Sequence, residues 1–185
     1  MTKIRSFHAL EELGRVQLSP NFFVRDFLHS EIASFHGLLN VPDDPAIAIA
    51  AGRRLCVELL EPLQRKFGRL AIRSGYRSPA VNALGNRLRL GCGSNEANRA
   101  AHIWDQRDRA GSMGAMACIV IPSFLSHYKA TGDWKSLALW IHDHLPYSKM
   151  TFYPRNMALN LGWKELRERT IYSYIRPHVG YLARP

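Results

Sequence analysis

An α+β domain, with a small antiparallel sheet packed against several helices, is the fold this sequence predicts. Ile47, Ala51, Leu55, Leu59 and Leu63 recur at helical spacing, so a long helix carries one apolar face. Two short apolar runs, Leu70–Ile72 and Ala115–Ile121, follow it and read as strands. Helical and extended segments show no regular β-α alternation and no internal repeat, which argues against a parallel, doubly wound sheet.

In chain order, Leu18-Ser19-Pro20 reads as a turn, and NFFVRDFLHSEIASFHG as a short helix with Phe22, Phe23 and Phe27 on its apolar face. Asp43 or Asp44 caps the next helix, and Pro45 suits its first turn, where a missing N–H costs nothing. Cys56 falls beside the apolar stripe of that helix, Pro62 should bend it near its end, and Gly68 stops it. Ser78-Pro79, after a turn at Gly75, looks like the cap and first residue of another helix. Gly85 to Arg99 has no period and reads as a loop, of a length that is usually functional or mobile. AMACIVI, closed by Pro122, is a buried strand. Asp133 caps the helix DWKSLALWIHDHL, and Met150 to Tyr153 and Thr170 to Ile175 each add a strand. The expected packing places Ile47, Leu55 and Leu59 on a sheet containing Ile72 and Ile119.

The chain has 185 residues, 46% of them hydrophobic, which suits one core and one domain over residues 1–185, with residues 1–17 set apart as a candidate extension. No run approaches the ~18 consecutive apolar residues of a membrane helix, and the first residues lack the pattern of a secretion signal. Synthesis in the cytoplasm is the expectation. Three cysteines, Cys56, Cys92 and Cys118, form neither a disulfide framework nor a CxxC zinc motif. The net charge of +10 is spread along the chain, from Arg53 to Arg99, and favours polyanionic partners, either nucleic acid or an anionic cell envelope. Neither a helix-turn-helix pattern nor an RNP-like motif is present, so nucleic-acid binding is expected to be non-specific.

The most informative segment is LEPLQRKFGRLAIRSGYRSPAVN, residues 60–82. Leu60-Glu61-Pro62-Leu63, Phe67-Gly68 and Ser74-Gly75-Tyr76-Arg77-Ser78 resemble the lead-in to the active site of the D-Ala-D-Ala carboxypeptidase family of zinc peptidases. The resemblance runs over roughly residues 18–165 and is specific in its first half. It implies a carboxypeptidase-like fold, a zinc ion, and a cleft binding cell-wall peptides. In that family two histidines and a carboxylate hold zinc with one position open for water, a glutamate takes the water's proton, and an arginine stabilises the developing negative charge.

Carried onto this sequence, Arg77 takes the charge-stabilising role, and Ser74, Tyr76, Ser78 and Trp163 become substrate-binding candidates. His102 stands at the first ligand position, with Ala100 replacing the usual serine two residues earlier. The Gly-x-Ala-x-Asp that should follow arrives late as Gly114-Ala115-Met116-Ala117-Cys118, which makes Cys118 either a thiolate ligand or a small core residue. Tyr153 occupies the position of the catalytic glutamate, and Glu165 in Gly162-Trp163-Lys164-Glu165 that of the last histidine. The insertion between His102 and Gly114 offers Asp105 and Asp108 as alternative ligands, with His142 and His144 as further donors.

Two functions follow from the resemblance. One is a zinc-dependent D,D-carboxypeptidase or endopeptidase-like hydrolase of peptidoglycan, of phage lytic type, released to the cell wall. The other is a non-catalytic structural or binding module of a phage particle or wall-associated assembly, with virion proteins as partners. Either places Arg77 and His102 on one cleft, with Phe152 and Trp163 forming another wall. The altered ligands predict weak hydrolysis or none.

Overall fold

The computed structural model describes Ile4 and residues 6–184. Helix α1 (Phe7–Arg15) is capped by Ser6, whose hydroxyl accepts from the Ala9 amide at 3.1 Å. Leu13, within the stretch read as a candidate extension, is buried in the same apolar cluster as the sheet.

A tight antiparallel hairpin follows, β1 (Gln17–Ser19) and β2 (Phe22–Phe23), then a 3₁₀ turn over Val24–Phe27 and the short helix α2 (Glu31–His36). The single helix expected from Asn21 onward is therefore corrected to a strand, a turn and a helix. The physical reason is Glu61. Its buried carboxylate accepts from Ser19 Oγ at 2.7 Å, from the Asn21 amide at 2.8 Å and from Asn21 Nδ2 at 2.8 Å, pinning the hairpin to the long helix. Burial works to raise the pKa of Glu61, but the bonds from Asn21 and Ser19 outweigh it and hold the group below the usual carboxylate range.

The long helix is one rod in three parts: α3 (Pro45–Leu55), a π-helical turn over Cys56–Leu60, and α4 (Glu61–Phe67). Pro62 has no amide to give to the preceding turn, and the widened π turn lies just before it. Asp44 caps the start by accepting from the Ala46 and Ile47 amides, and Gly68 closes the end at φ 82°. Leu55, Cys56, Leu59 and Leu63 are fully buried, while Ile47 is only half-buried and Ile49 takes the place expected for it.

The main sheet has six strands in the order β3-β4-β6-β5-β7-β8, comprising β3 (Ala71–Ser74), β4 (Gly114–Val120), β5 (Lys149–Phe152), β6 (Leu159–Lys164), β7 (Thr170–Ser173) and β8 (Gly180–Ala183). It is larger than expected and mixed, because β5 and β7 run parallel while the other neighbours are antiparallel. The central strand β6 was not anticipated, although LNLGWK alternates apolar with polar or small residues as a half-buried strand does. Ile72 and Ile119 lie in one sheet as expected, and the structure makes them register partners.

Helix α5 (Pro79–Arg87), capped by Ser78, extends into the segment expected to be a loop, and α6 (Asn95–Asn98) closes it, leaving Leu88–Ser94 irregular. Helices α7 (Pro122–Thr131) and α8 (Lys135–His144) separate β4 from β5, and Asp133 accepts from the Ser136 amide at 3.1 Å at the head of α8. No helix among the described residues is long and apolar enough to cross a membrane.

Strand alternation divides the sheet into two faces. Ala115, Ala117 and Ile119 on β4, Leu159 and Leu161 on β6, and Met150 and Phe152 on β5 are all fully buried on the helix side. The register then puts Met116, Cys118, Asn160, Gly162, Thr151 and Tyr172 on the opposite face, which is open. An antiparallel-type sheet with one wet face is a natural platform for a site.

Candidate binding cleft

Two contiguous depressions occupy the open face. One, of about 810 Å³, lies between the end of β3, α2 and the Leu88–Ser94 segment; the other, of about 550 Å³, runs across β6, β5 and β7. Arg77, Gly91, His102, Tyr153 and Asn160 line both.

The junction is built from the SGYRS segment. Beyond β3 the chain passes so close to the helical turn before it that a Cβ on Gly75 would lie 2.7 Å from Phe27 Cβ, so this position takes only glycine without rearrangement. Asn40, buried under the segment, donates to Leu28 O and Tyr76 O at 2.9 Å each and accepts from the Ser78 amide at 2.7 Å. The Arg77 amide donates to His102 O at 2.8 Å, and the His102 ring is bonded through Nδ1 to Gly75 O at 2.9 Å.

That last bond settles the imidazole's state. Burial pushes the His102 pKa down, the Arg77 charge adds to the effect and the Gly75 carbonyl only partly offsets it, leaving about 3. The ring is neutral at pH 7. A carbonyl can only accept, so the proton is on Nδ1 and Nε2 keeps its lone pair.

Around His102 stand donors. Arg77 gives Nη1 to Cys92 Sγ, while its Nε is buried with no partner. Arg73 lines the same cleft. Burial, reinforced by Cys118 and Tyr174 and opposed by Arg77, pushes the Tyr153 phenol up to about 12, so it stays protonated. Asn160 Nδ2 donates to the Tyr153 oxygen at 3.2 Å, which leaves the phenol O–H to donate elsewhere. Cys118 faces the cleft and is paired in register with Asn160; burial pushes its thiol up although Arg73 and Arg77 pull the other way. An apolar rim of Ile32, Phe35, Leu88 and Leu90 closes the outer side, with Phe35 85% exposed.

Arg77, Tyr153, His102, Cys118 and Ser74 therefore share the cleft, Trp163 borders the second depression, and the other candidates lie elsewhere. Glu165 accepts from the Met113 amide at 2.6 Å and from Arg107 at 3.2 Å, and lines a separate depression with Arg54. Asp105 is buried beneath Asp43, accepting its amide at 2.7 Å, and burial raises its pKa. Asp108 closes its own turn by accepting from the Ala110 and Ser112 amides and pairs with Lys164 at 3.0 Å. His142 bonds Tyr147 and His144 stacks on Trp140, both on α8.

Tyr76 is buried with its hydroxyl on Val41 O, and Ser78 caps α5, so both build the site without lining it. The expected wall of Phe152 and Trp163 side chains is corrected by strand alternation. Phe152 packs on Trp134 in the core, and Trp163 borders the second depression while its indole N–H donates to Glu58 on the helix side at 2.9 Å. Asn160, Gly162 and Lys164 take that place on the open face.

The zinc ligand set does not assemble in this arrangement: of His102, Cys118 and Glu165 only the first two share the cleft. Among the described residues no group of three His, Cys, Asp or Glu side chains is placed to hold a metal ion. Sequence reasoning missed Arg73, Asn160 and Asn40. Arg73 was findable, since it lies four residues before Arg77 across a turn; Asn160 emerges only from the β4–β6 register. Comparisons with protein-family models, curated proteins and solved structures returned no match for this chain.

Proposed function

We propose that this domain is a non-catalytic binding module that holds the carboxylate end of a cell-wall peptide in the cleft around Arg77. The observation that carries the reading is that Arg77, Arg73 and the protonated Tyr153 line one depression together with the neutral ring of His102. A carboxylate accepts from a guanidinium more strongly than a neutral group does, and a phenol O–H adds a further bond. His102 Nε2 is an acceptor suited to the last amide N–H of the peptide. The apolar rim suits small side chains such as those of alanine.

Peptidoglycan peptide is the ligand class that the SGYRS resemblance adds, and a phage particle or wall-associated assembly is the setting it suggests. Efficient hydrolysis is not part of the reading, because the cleft holds no ionised group at the Tyr153 position to take a proton from water. The hydrolase alternative draws on one feature: a histidine that gives Nδ1–H to a carbonyl and keeps Nε2 free is oriented as metal-binding histidines are.

Calorimetric titration tests the proposal. A peptide ending in D-Ala-D-Ala should bind, its C-terminal amide should not, and Arg77→Met should weaken binding about 10–100-fold. Equal binding of acid and amide sinks the reading. Stoichiometric zinc in the purified protein, with peptide turnover abolished by His102→Ala, would replace it by the hydrolase.

A further inference from the structure

The second depression carries a feature that peptide binding uses only at its Tyr153 and Arg77 end. Tyr172 and Tyr181 are register partners on β7 and β8, Tyr174 follows two residues after Tyr172, and Tyr153 continues β5 beside them. The four rings form a continuous aromatic ridge. Tyr153 and Tyr174 stack with centroids 5.4 Å apart, and Tyr172 meets Tyr174 at 4.9 Å and Tyr181 at 5.0 Å edge to face. Tyr174 is 50% and Tyr181 52% exposed, a large aromatic area to leave in water beside a groove. The hydroxyls of Tyr172, Tyr174 and Tyr181 have no hydrogen-bond partner among the described residues.

The charges along the ridge that lack an ion pair among the described residues have one sign. Arg77, Arg99 and Lys149 line the groove without an ion pair among the described residues, and the Arg184 guanidinium lies 4.2 Å from the centre of the Tyr181 ring. Lys164 is neutralised between Asp108 and Glu168, at 3.0 and 2.7 Å, so Glu168 is already occupied. Uncompensated cations favour a polyanion over a neutral saccharide, and exposed rings favour a polyanion with accessible flat faces. A duplex hides its bases; a single strand presents them.

We propose that this tyrosine-bearing groove binds single-stranded nucleic acid without regard to base sequence. Bases stack on the exposed Tyr174 and Tyr181 faces while Lys149, Arg99 and Arg184 follow the phosphates. Stacking on aromatic side chains tolerates every base, and the phosphate contacts supply the salt dependence. This groove meets the peptide cleft at Arg77 and Tyr153, but strand binding needs neither His102 nor a ligand carboxylate and rests on Tyr174, Tyr181, Lys149, Arg99 and Arg184.

Fluorescence anisotropy with a labelled oligothymidylate of about twelve nucleotides tests it. The full chain should bind this strand more tightly than an abasic strand of equal length or a duplex. The double substitution Tyr174→Ala, Tyr181→Ala should weaken oligothymidylate binding about 30-fold or more and leave abasic binding unchanged. Lys149→Gln should lower the slope of log affinity against log salt by about 0.7, a readout that holds even if the double variant folds poorly. Equal affinity for the abasic strand or the duplex would overturn the proposal in favour of charge alone. Displacement of the oligothymidylate by a neutral N-acetylglucosamine tetramer would overturn it in favour of a saccharide groove.

Discussion

Arg77 and His102 hold each other in place: the Arg77 amide donates to His102 O at 2.8 Å, and the His102 ring is tied at 2.9 Å to Gly75, two residues before Arg77. The guanidinium and the imidazole thus reach the cleft from one closed loop of hydrogen bonds. Anything that moves Gly75 moves both.

Gly75→Ala should therefore damage stability and binding together. The added Cβ would sit 2.7 Å from Phe27 Cβ and 3.0 Å from its Cα, and the backbone there cannot swing aside as a flexible side chain can. A loss of about 1–3 kcal/mol in urea denaturation is expected. Unchanged stability would mean that the loop is looser than its hydrogen bonds indicate.

Asn40→Ala should act on the same loop from below. It removes two donated bonds and one accepted bond, and it leaves the buried Ser78 amide and Tyr76 carbonyl without those partners. About 1–3 kcal/mol of stability should be lost for each buried group left unsatisfied. Asn40→Asp should not recover the loss near neutral pH, because it sets a buried carboxylate oxygen against the Leu28 and Tyr76 carbonyls.

His102 gives a signed pH dependence. Its folded pKa of about 3 lies below the ordinary 6.5, so in this range the unfolded chain binds a proton that the folded chain refuses. The stability that follows from this is complete above pH 6.5 and falls as the pH drops towards 3, by at most about 1.4 kcal/mol per pH unit. Glu61, also depressed, acts in the same direction only below its ordinary 4.5. Denaturation between pH 6.5 and 4.5 should show the histidine slope, and His102→Gln should flatten it. Nitrogen NMR of the ring should find Nδ1–H and no titration near neutrality; an imidazolium at pH 6 contradicts the assignment.

Much of the frame was legible in the sequence, for identifiable reasons. The apolar stripe of the long helix, the AMACIVI strand, and the caps at Asp44, Ser78 and Asp133 are local signals, and each is found where spacing and cap chemistry place it. The hairpin at Gln17–Phe23 was not legible, because the group that holds it, Glu61, lies about 40 residues away and reads locally as an ordinary helix carboxylate. The site divided in the same way. Arg77 and His102 stood out from their motif, whereas Asn160 reaches the cleft only through pairing with Cys118, which no local pattern encodes. Glu165, Asp105 and Asp108 looked like free ligands only until their backbone partners were seen.

Tyr153→Phe separates donation from shape. The ring can keep its stack on Tyr174, while the phenol O–H is lost. Peptide affinity should fall about 10-fold or more, as for a hydrogen bond to a charged group, with little change in folding. Unchanged affinity would remove Tyr153 from the carboxylate site.

The most direct measurement follows the Nε–H resonance of Arg77 by proton–nitrogen NMR during titration with a peptide ending in D-Ala-D-Ala. Arg77 lines the cleft, so a carboxylate bound to its guanidinium should shift that resonance downfield, and the C-terminal amide of the same peptide should leave it in place. Saturable peptide binding with no change at Arg77 Nε, or the same change with acid and amide, would contradict a carboxylate-binding cleft.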